Sequence, residues 1–128
     1  MRSDPETLMK EYVAACYRWN PSEIERFFAD TFVFDFPGTS FLAGRHEGKR
    51  AIIDLTDQLT SVADCEEFTV LDLLAGRHCA AVCVNERYRR GEKRIEVRRV
   101  AFYHIEKGSF AAGHTHIDEL ETFDALLS

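Results

Sequence analysis

The hydrophobic residues of this chain change their spacing near Cys65. Before it, apolar residues recur at intervals of three and four, which is the spacing of one helix face; after it they alternate, as in strands. Four alternating segments are separated by short glycine-containing turns and are predicted as antiparallel strands, over residues 67–75, 79–88, 93–105 and 109–117. Helices followed by a run of strands predict an α+β fold, in which a curled antiparallel sheet and the helices packed across it enclose a pocket.

Capping sequences predict where the helices begin. Asp4-Pro5 and Asn20-Pro21 each place an N-cap residue before a proline, and the second of these helices is expected to be short and to end at Ala29-Asp30. Apolar residues at helical spacing predict a third helix within residues 48–63. Asp118 is expected to cap a last short helix.

Residues 32–36 alternate between phenylalanine and other residues, which predicts a strand. Val33 and Asp35 then point to one side and the three phenylalanines to the other. Pro37-Gly38 turns the chain into a loop that contains residues 44–46. Asp35 is either held in an apolar pocket, where a raised pKa would suit a general base, or solvated and hydrogen-bonded to the turn.

Arg98 and Arg99 are neighbours on a predicted strand, so one of them faces the pocket. Alternation places Arg99 with the more apolar set of residues, which includes Tyr103, and Arg99 is therefore predicted to face inward. An inward arginine would bind a ligand carboxylate or pair with Asp35. The alternative is that Arg99 neutralises Glu86 on the neighbouring strand.

His114 and His116 lie on one face of the last predicted strand. A two-residue turn at Lys107-Gly108 would pair Ile105 with Phe110 and direct both histidines into the pocket, whereas one extra looped residue would turn them outward. We expect the shorter turn, and with it both histidines as substrate-binding residues. Two imidazoles can share a metal ion, but no third ligand is found, so no metal and no cofactor are predicted.

Composition and missing motifs exclude several classes of function. The 128 residues carry a net charge of −6 without a basic stripe, which argues against nucleic acid and anionic membranes as partners. No apolar stretch approaches the roughly 20 residues that span a bilayer, and the first ten residues lack the apolar core of a signal peptide, so a cytoplasmic location is expected. The glycine motifs of nucleotide-binding and dinucleotide-binding proteins are absent from the sequence.

Four stretches of the chain resemble the SnoaL-like branch of the nuclear-transport-factor-2-like superfamily. They are YVAACYRWNPSEIERFFAD, FDFPGTSFLAG, YHIEKGSF and DELETFDALL. This superfamily includes ketosteroid isomerases and polyketide cyclases. The resemblance covers most of the chain and implies that residues 1–128 form a single SnoaL-like domain. It further implies a cone-shaped α+β barrel with a hydrophobic pocket in its mouth, usually assembled as a homodimer.

The resemblance also assigns roles to individual positions. In ketosteroid isomerases a base aspartate follows the first strand, and Asp35 matches it; a tyrosine on the first helix stabilises the enolate oxygen, and Tyr12 matches it. The acid that binds the oxyanion in these isomerases falls near Ala101 of this chain. The acid on the last strand of the polyketide cyclases is matched by Thr115.

These observations lead to two functional hypotheses. In the first, the chain is a small-molecule pocket protein that catalyses proton transfer on an apolar carbonyl or ring substrate without a cofactor. Asp35 would be the base, Tyr12 and Tyr103 would donate to a developing oxyanion, and Arg99 or His114 would give electrostatic support. In the second, the chain is a non-catalytic ligand-binding or dimeric assembly module, since one scaffold serves both uses.

Overall fold

The computed structural model describes residues 4–128, which form four helices and six strands. The helices are α1 (Pro5–Arg18), α2 (Pro21–Ile24), α3 (Ala51–Thr60) and α4 (Leu120–Leu127). The strands are β1 (Phe28–Phe36), β2 (Gly44–Glu47), β3 (Asp64–Ala75), β4 (Cys79–Arg90), β5 (Lys93–Glu106) and β6 (Ser109–Ile117). None of the helices in this part of the chain is long and apolar enough to cross a membrane.

The predicted starts of the first two helices are confirmed, and each is stabilised by a side-chain cap. The Asp4 carboxylate accepts a hydrogen bond of 2.8 Å from the Thr7 amide, which lowers the pKa of Asp4. The Asn20 side chain accepts a bond of 3.3 Å from the Glu23 amide. These bonds satisfy backbone donors that have no partner within the helix.

The six strands form one curled, unclosed sheet in the order β2-β1-β6-β5-β4-β3. The antiparallel meander predicted for the second half of the chain is confirmed, because β3, β4, β5 and β6 pair in succession. The first strand joins this meander beside the last one, and β1 and β6 run parallel. The sheet is therefore mixed rather than wholly antiparallel, and the fold is α+β as expected.

Several predicted boundaries are wrong. The second helix, expected to end at Ala29-Asp30, ends at Ile24 and is followed by a 3-10 turn at Glu25–Phe27. The strand expected at residue 32 begins at Phe28, because that residue already pairs with Phe110 and an irregularity between Phe28 and Val33 interrupts the ladder. The residues expected to form a loop around 44–46 form the edge strand β2, since the chain reverses after Pro37 and pairs again with β1. Helix α4 is preceded by Glu119 in a left-handed conformation, and not capped by Asp118.

Aromatic residues from both layers meet at Phe110 of β6, which is completely buried. Its ring lies 5.1 Å from that of Tyr12 on α1, 5.4 Å from that of Phe28 on β1 and 4.6 Å from that of Tyr103 on β5. Phe32 is also fully buried and packs 4.6 Å from Phe28. This cluster joins the first helix to three strands of the sheet.

Phe110→Ala tests how much the aromatic cluster stabilises the fold. We expect the free energy of unfolding to fall by about 3–5 kcal/mol, because the substitution removes buried apolar area and leaves a cavity among rings that cannot all move inward. Urea denaturation measures the loss. Phe41→Ala is the matched control, since Phe41 is 49% exposed, and a comparable loss in both variants would contradict the assignment.

Candidate functional site

A cavity of about 370 Å³ lies between the helices and the concave face of the sheet. Most of its wall is apolar. The lining side chains come from α1, α3, α4, the strands and the segments between them: Tyr12, Val13, Cys16, Tyr17, Trp19, Phe34, Phe36, Leu42, Ile52, Leu55, Thr56, Leu59, Thr60, Cys65, Phe68, Val82, Val84, Glu86, Tyr88, Arg99, Ala101, Tyr103 and Phe123. A concave, mainly apolar wall with a few polar groups is typical of small-molecule sites.

The lining residues that are exposed to solvent lie close together in the fold and mark the mouth of the cavity. Tyr17 is 55% exposed and Trp19 is 38% exposed at the end of α1. Thr60 is the last residue of α3 and Cys65 the second residue of β3, and both are exposed. The Tyr17 hydroxyl accepts a hydrogen bond of 3.1 Å from the Val70 amide. Tyr17 thereby ties α1 to the edge strand at the mouth.

Two tyrosine hydroxyls meet in the interior of the cavity wall. The hydroxyl oxygens of Tyr12 and Tyr103 lie 3.3 Å apart, and both residues are buried. Burial raises the pKa of Tyr12 well above 10.0 and that of Tyr103 to about 12, so both phenols are neutral donors near neutral pH. Because one hydroxyl donates to the other, the second keeps its hydrogen for a ligand oxygen. The structure thus brings together two of the residues singled out from the sequence.

Arg99 also faces the cavity, as alternation predicted, and it pairs there with Glu86 of the neighbouring strand. The Arg99 Nε donates to Glu86 Oε1 at 2.9 Å and the Nη2 donates to Oε2 at 3.1 Å, which makes the pair bidentate. The side chains are 23% and 5% exposed. Burial disfavours the charge on Arg99, but the Glu86 carboxylate outweighs it and raises the pKa of Arg99. Thus Arg99 pairs with Glu86 and not with Asp35.

The two positions matched by resemblance to acids of ketosteroid isomerases and polyketide cyclases are both buried, and neither is acidic here. Ala101 is buried in the wall between Arg99 and Tyr103. The Thr115 hydroxyl donates to the Val100 carbonyl at 3.0 Å and accepts a long bond of 3.4 Å from Arg99 Nη1. Thr115 therefore helps to hold the guanidinium group.

Asp35 does not line the cavity. The predicted alternation of β1 is confirmed, since Phe32 and Phe34 are buried while Asp35 is exposed. Asp35 stands opposite Arg45 of β2 and His114 of β6 on the outer face of the sheet. The phenylalanine side faces the cavity because it buries far more apolar surface. Of the two environments that the sequence left open for Asp35, the structure shows the solvent-exposed one.

The predicted inward direction of His114 and His116 is wrong, although the turn that led to it is right. The Lys107-Gly108 turn does pair Ile105 with Phe110, but the next pair is His104 with Ala112. Ala111 is thus an extra residue, a bulge that reverses the facing of the rest of β6. Both histidines are exposed on the outer face, and His114 stacks at 5.1 Å on Phe102. Residues 4–128 contain no cluster of three or more metal-ligating side chains.

Most of the cavity residues, Glu86 and Trp19 among them, were not predicted from the sequence as part of a site. Glu86 was predicted only as the alternative partner of Arg99 on the neighbouring strand. The signal for Glu86 was the alternation of β4, where it shares the buried face with Val82, Val84 and Tyr88. A carboxylate in an apolar set of this kind indicates a buried polar site. No pattern in the sequence marks Trp19.

Glu86→Gln tests whether the ion pair is buried. The variant keeps the side-chain shape and leaves the Arg99 cation without its partner, so we expect the free energy of unfolding to fall by about 3 kcal/mol in urea denaturation. Glu67→Gln is the control, because Glu67 on β3 pairs with Arg87 on β4 at the surface, and this variant should lose less than about 1 kcal/mol. Equal losses would show that the Glu86 pair behaves as a surface pair.

Comparisons with known proteins agree with this geometry. A family model for the SnoaL-like domain matches residues 9–113. No curated protein matches the chain significantly. An NTF2-like protein from Burkholderia xenovorans has a similar structure, with 19% identity, all of both chains covered and a TM-score of 0.82. A protein of cystatin-like fold from Xanthomonas campestris gives 15% identity, 98% and 99% coverage of this and that chain and a TM-score of 0.86.

A candidate SnoaL-like polyketide cyclase from Mesorhizobium loti is 12% identical, with 86% of this chain and 96% of that chain covered and a TM-score of 0.73. Identities this low relate the folds alone. The family match is more informative, because it spans more than half of the chain. The chain therefore belongs to the SnoaL-like domain family.

Proposed function

We propose that this SnoaL-like protein binds a small, largely apolar molecule in its cavity, with an oxygen atom of the ligand hydrogen-bonded to the Tyr12–Tyr103 pair. The observation that carries the proposal is this buried hydroxyl pair on a wall that is otherwise mainly apolar. The cavity volume of about 370 Å³ falls within the range of small-molecule sites.

The apolar wall supports binding of a hydrophobic ligand. Phe34, Leu55, Val82 and Val84 are buried lining residues, so a ligand that fills the cavity removes apolar surface from water on both sides of the contact. Such burial contributes roughly 25 cal/mol per Å². Trp19 at the mouth contacts solvent and the cavity at once, and it is the only tryptophan in the chain. Its fluorescence is therefore a built-in reporter of occupancy.

Binding is better supported than proton transfer with Asp35 as the base. A base must reach the substrate proton within hydrogen-bond distance, directly or through one water, and Asp35 is exposed on the outer face of the sheet. The carboxylate that does line the cavity belongs to Glu86, and Arg99 holds both of its oxygens. The likeness to the Mesorhizobium loti candidate cyclase supports a shared scaffold without adding a base to this cavity.

The binding proposal is tested with 1-adamantyl methyl ketone, a compact apolar probe with one acceptor oxygen. We expect saturable binding by calorimetry, accompanied by a change in Trp19 emission. Tyr12→Phe combined with Tyr103→Phe should weaken binding about three- to tenfold, because the variant loses one net hydrogen bond.

Asp35→Asn is the matched control and should leave the affinity for the ketone unchanged, since Asp35 lies outside the cavity. Unaltered affinity in the double tyrosine variant would rule out the proposed hydrogen bond. Loss of ketone binding in Asp35→Asn would contradict the placement of Asp35 outside the binding site.

We further propose that the protein forms a homodimer through the outer face of the sheet. Leu74, Ala81 and Phe102 stand side by side on β3, β4 and β5, and the Phe102 ring stacks on His114 of β6. Leu74 is 54% exposed. The helices enclose the cavity on the opposite face, so this apolar strip is free to pack against the same strip of a second copy.

Light scattering after size exclusion tests the dimer. We expect twice the chain mass of 14.7 kDa for the unmodified protein and a single chain mass for Phe102→Asp, because a buried unpaired charge disrupts an apolar interface. Phe41→Asp, at an exposed loop position, should keep the dimer mass. A monomer in the unmodified protein contradicts the proposal.

A further inference from the structure

The charges in the cavity wall cancel. Among the described residues that line the cavity, Glu86 is the only acid and Arg99 the only base. The tyrosines Tyr12, Tyr88 and Tyr103 are neutral near pH 7, because a phenol ordinarily ionises near pH 10 and burial raises the pKa of each of them further. A ligand therefore enters a polar but electrically neutral site.

The Glu86–Arg99 pair is not readily opened for a charged ligand. Both Glu86 oxygens accept from Arg99, and Glu86 is almost fully buried on β4. A ligand carboxylate that displaced Glu86 would leave that side chain buried and unpaired. A ligand carboxylate that bound beside Glu86 would instead place two anions on one cation, in a wall with no second base.

Hydrogen-bond donors in the same cavity wall remain available to an uncharged ligand oxygen. The guanidinium group has five N–H bonds, of which two go to Glu86 and one to Thr115. Two N–H bonds remain, together with the free hydroxyl hydrogen of the Tyr12–Tyr103 pair. A carbonyl or hydroxyl oxygen can accept from these donors without bringing a charge out of water.

We propose that Glu86 is a specificity-determining residue that makes the cavity select neutral, oxygen-bearing ligands and reject carboxylates. This inference rests on the proposed binding function and names its ligand class. It also reverses the usual expectation for an inward arginine, which is an anion site. Here the anion is supplied by the protein itself.

The test compares 1-adamantyl methyl ketone with adamantane-1-carboxylate, which share the apolar cage and differ in charge. Affinities are measured by calorimetry at neutral pH on the full chain. We expect the unmodified protein to bind the ketone at least about tenfold more tightly than the carboxylate. Glu86→Gln frees the Arg99 cation and should reverse this order by about the same factor.

Two further variants separate the pair from general effects of charge and stability. Glu92→Gln removes the same charge from an exposed turn and should keep the ketone preference. The double variant Glu86→Gln, Arg99→Gln has a neutral wall again and should also prefer the ketone. Near-ultraviolet circular dichroism establishes that each variant is folded. Equal affinities of the unmodified protein for the two probes would overturn the proposal even if Glu86→Gln does not fold.

The outcomes are distinguishable. Equal affinities of the unmodified protein for the two probes would overturn charge selection while leaving the cavity as a binding site. A carboxylate that binds no better to folded Glu86→Gln than to the unmodified protein would also overturn it. Absence of binding by both probes would overturn the proposed function together with the inference.

Discussion

The packing of Phe110 joins the helical layer to the sheet, and the position of the cavity depends on it. Its ring contacts Tyr12 of α1, Phe28 of β1 and Tyr103 of β5 within one buried cluster. These contacts hold the rings of Tyr12 and Tyr103 in an edge-to-face arrangement 5.6 Å apart, which brings their hydroxyls within hydrogen-bond distance. The cluster that stabilises the fold therefore also positions the donors of the site.

The polar side of the cavity depends on a second interaction, the Glu86–Arg99 pair. Removing two charges from water is costly, and a buried pair adds little stability over apolar residues of the same volume. Its two hydrogen bonds and the contact with Thr115 offset this cost, but the net gain in stability stays small. The proposed ligand recognition accounts for the pair better than folding does, because the pair gives the wall donors without a net charge.

Local patterns predicted most of the fold and part of the site. The caps at Asp4 and Asn20 act within one helical turn, and the alternation that placed Arg99 and Tyr103 on one face of β5 acts within one strand. Strand β2 was missed because its four residues have no alternating pattern and exist as a strand only through pairing with β1. The burial of Glu86 was not predicted, because it depends on the packing of α1 against β4.

The sequence by itself determined which residues share a face within an uninterrupted stretch of strand, because backbone geometry alternates side chains there irrespective of what surrounds the strand. Only the tertiary structure decided what each face meets. Asp35 lies on the face opposite the phenylalanines in the prediction from sequence and in the structure, but the curl of the sheet places that face outside the cavity. His114 and His116 share a face in the prediction and in the structure, but the extra residue Ala111 turns that face away from the cavity. A bulge forms through pairing between strands distant in sequence, so spacing within one strand cannot reveal it.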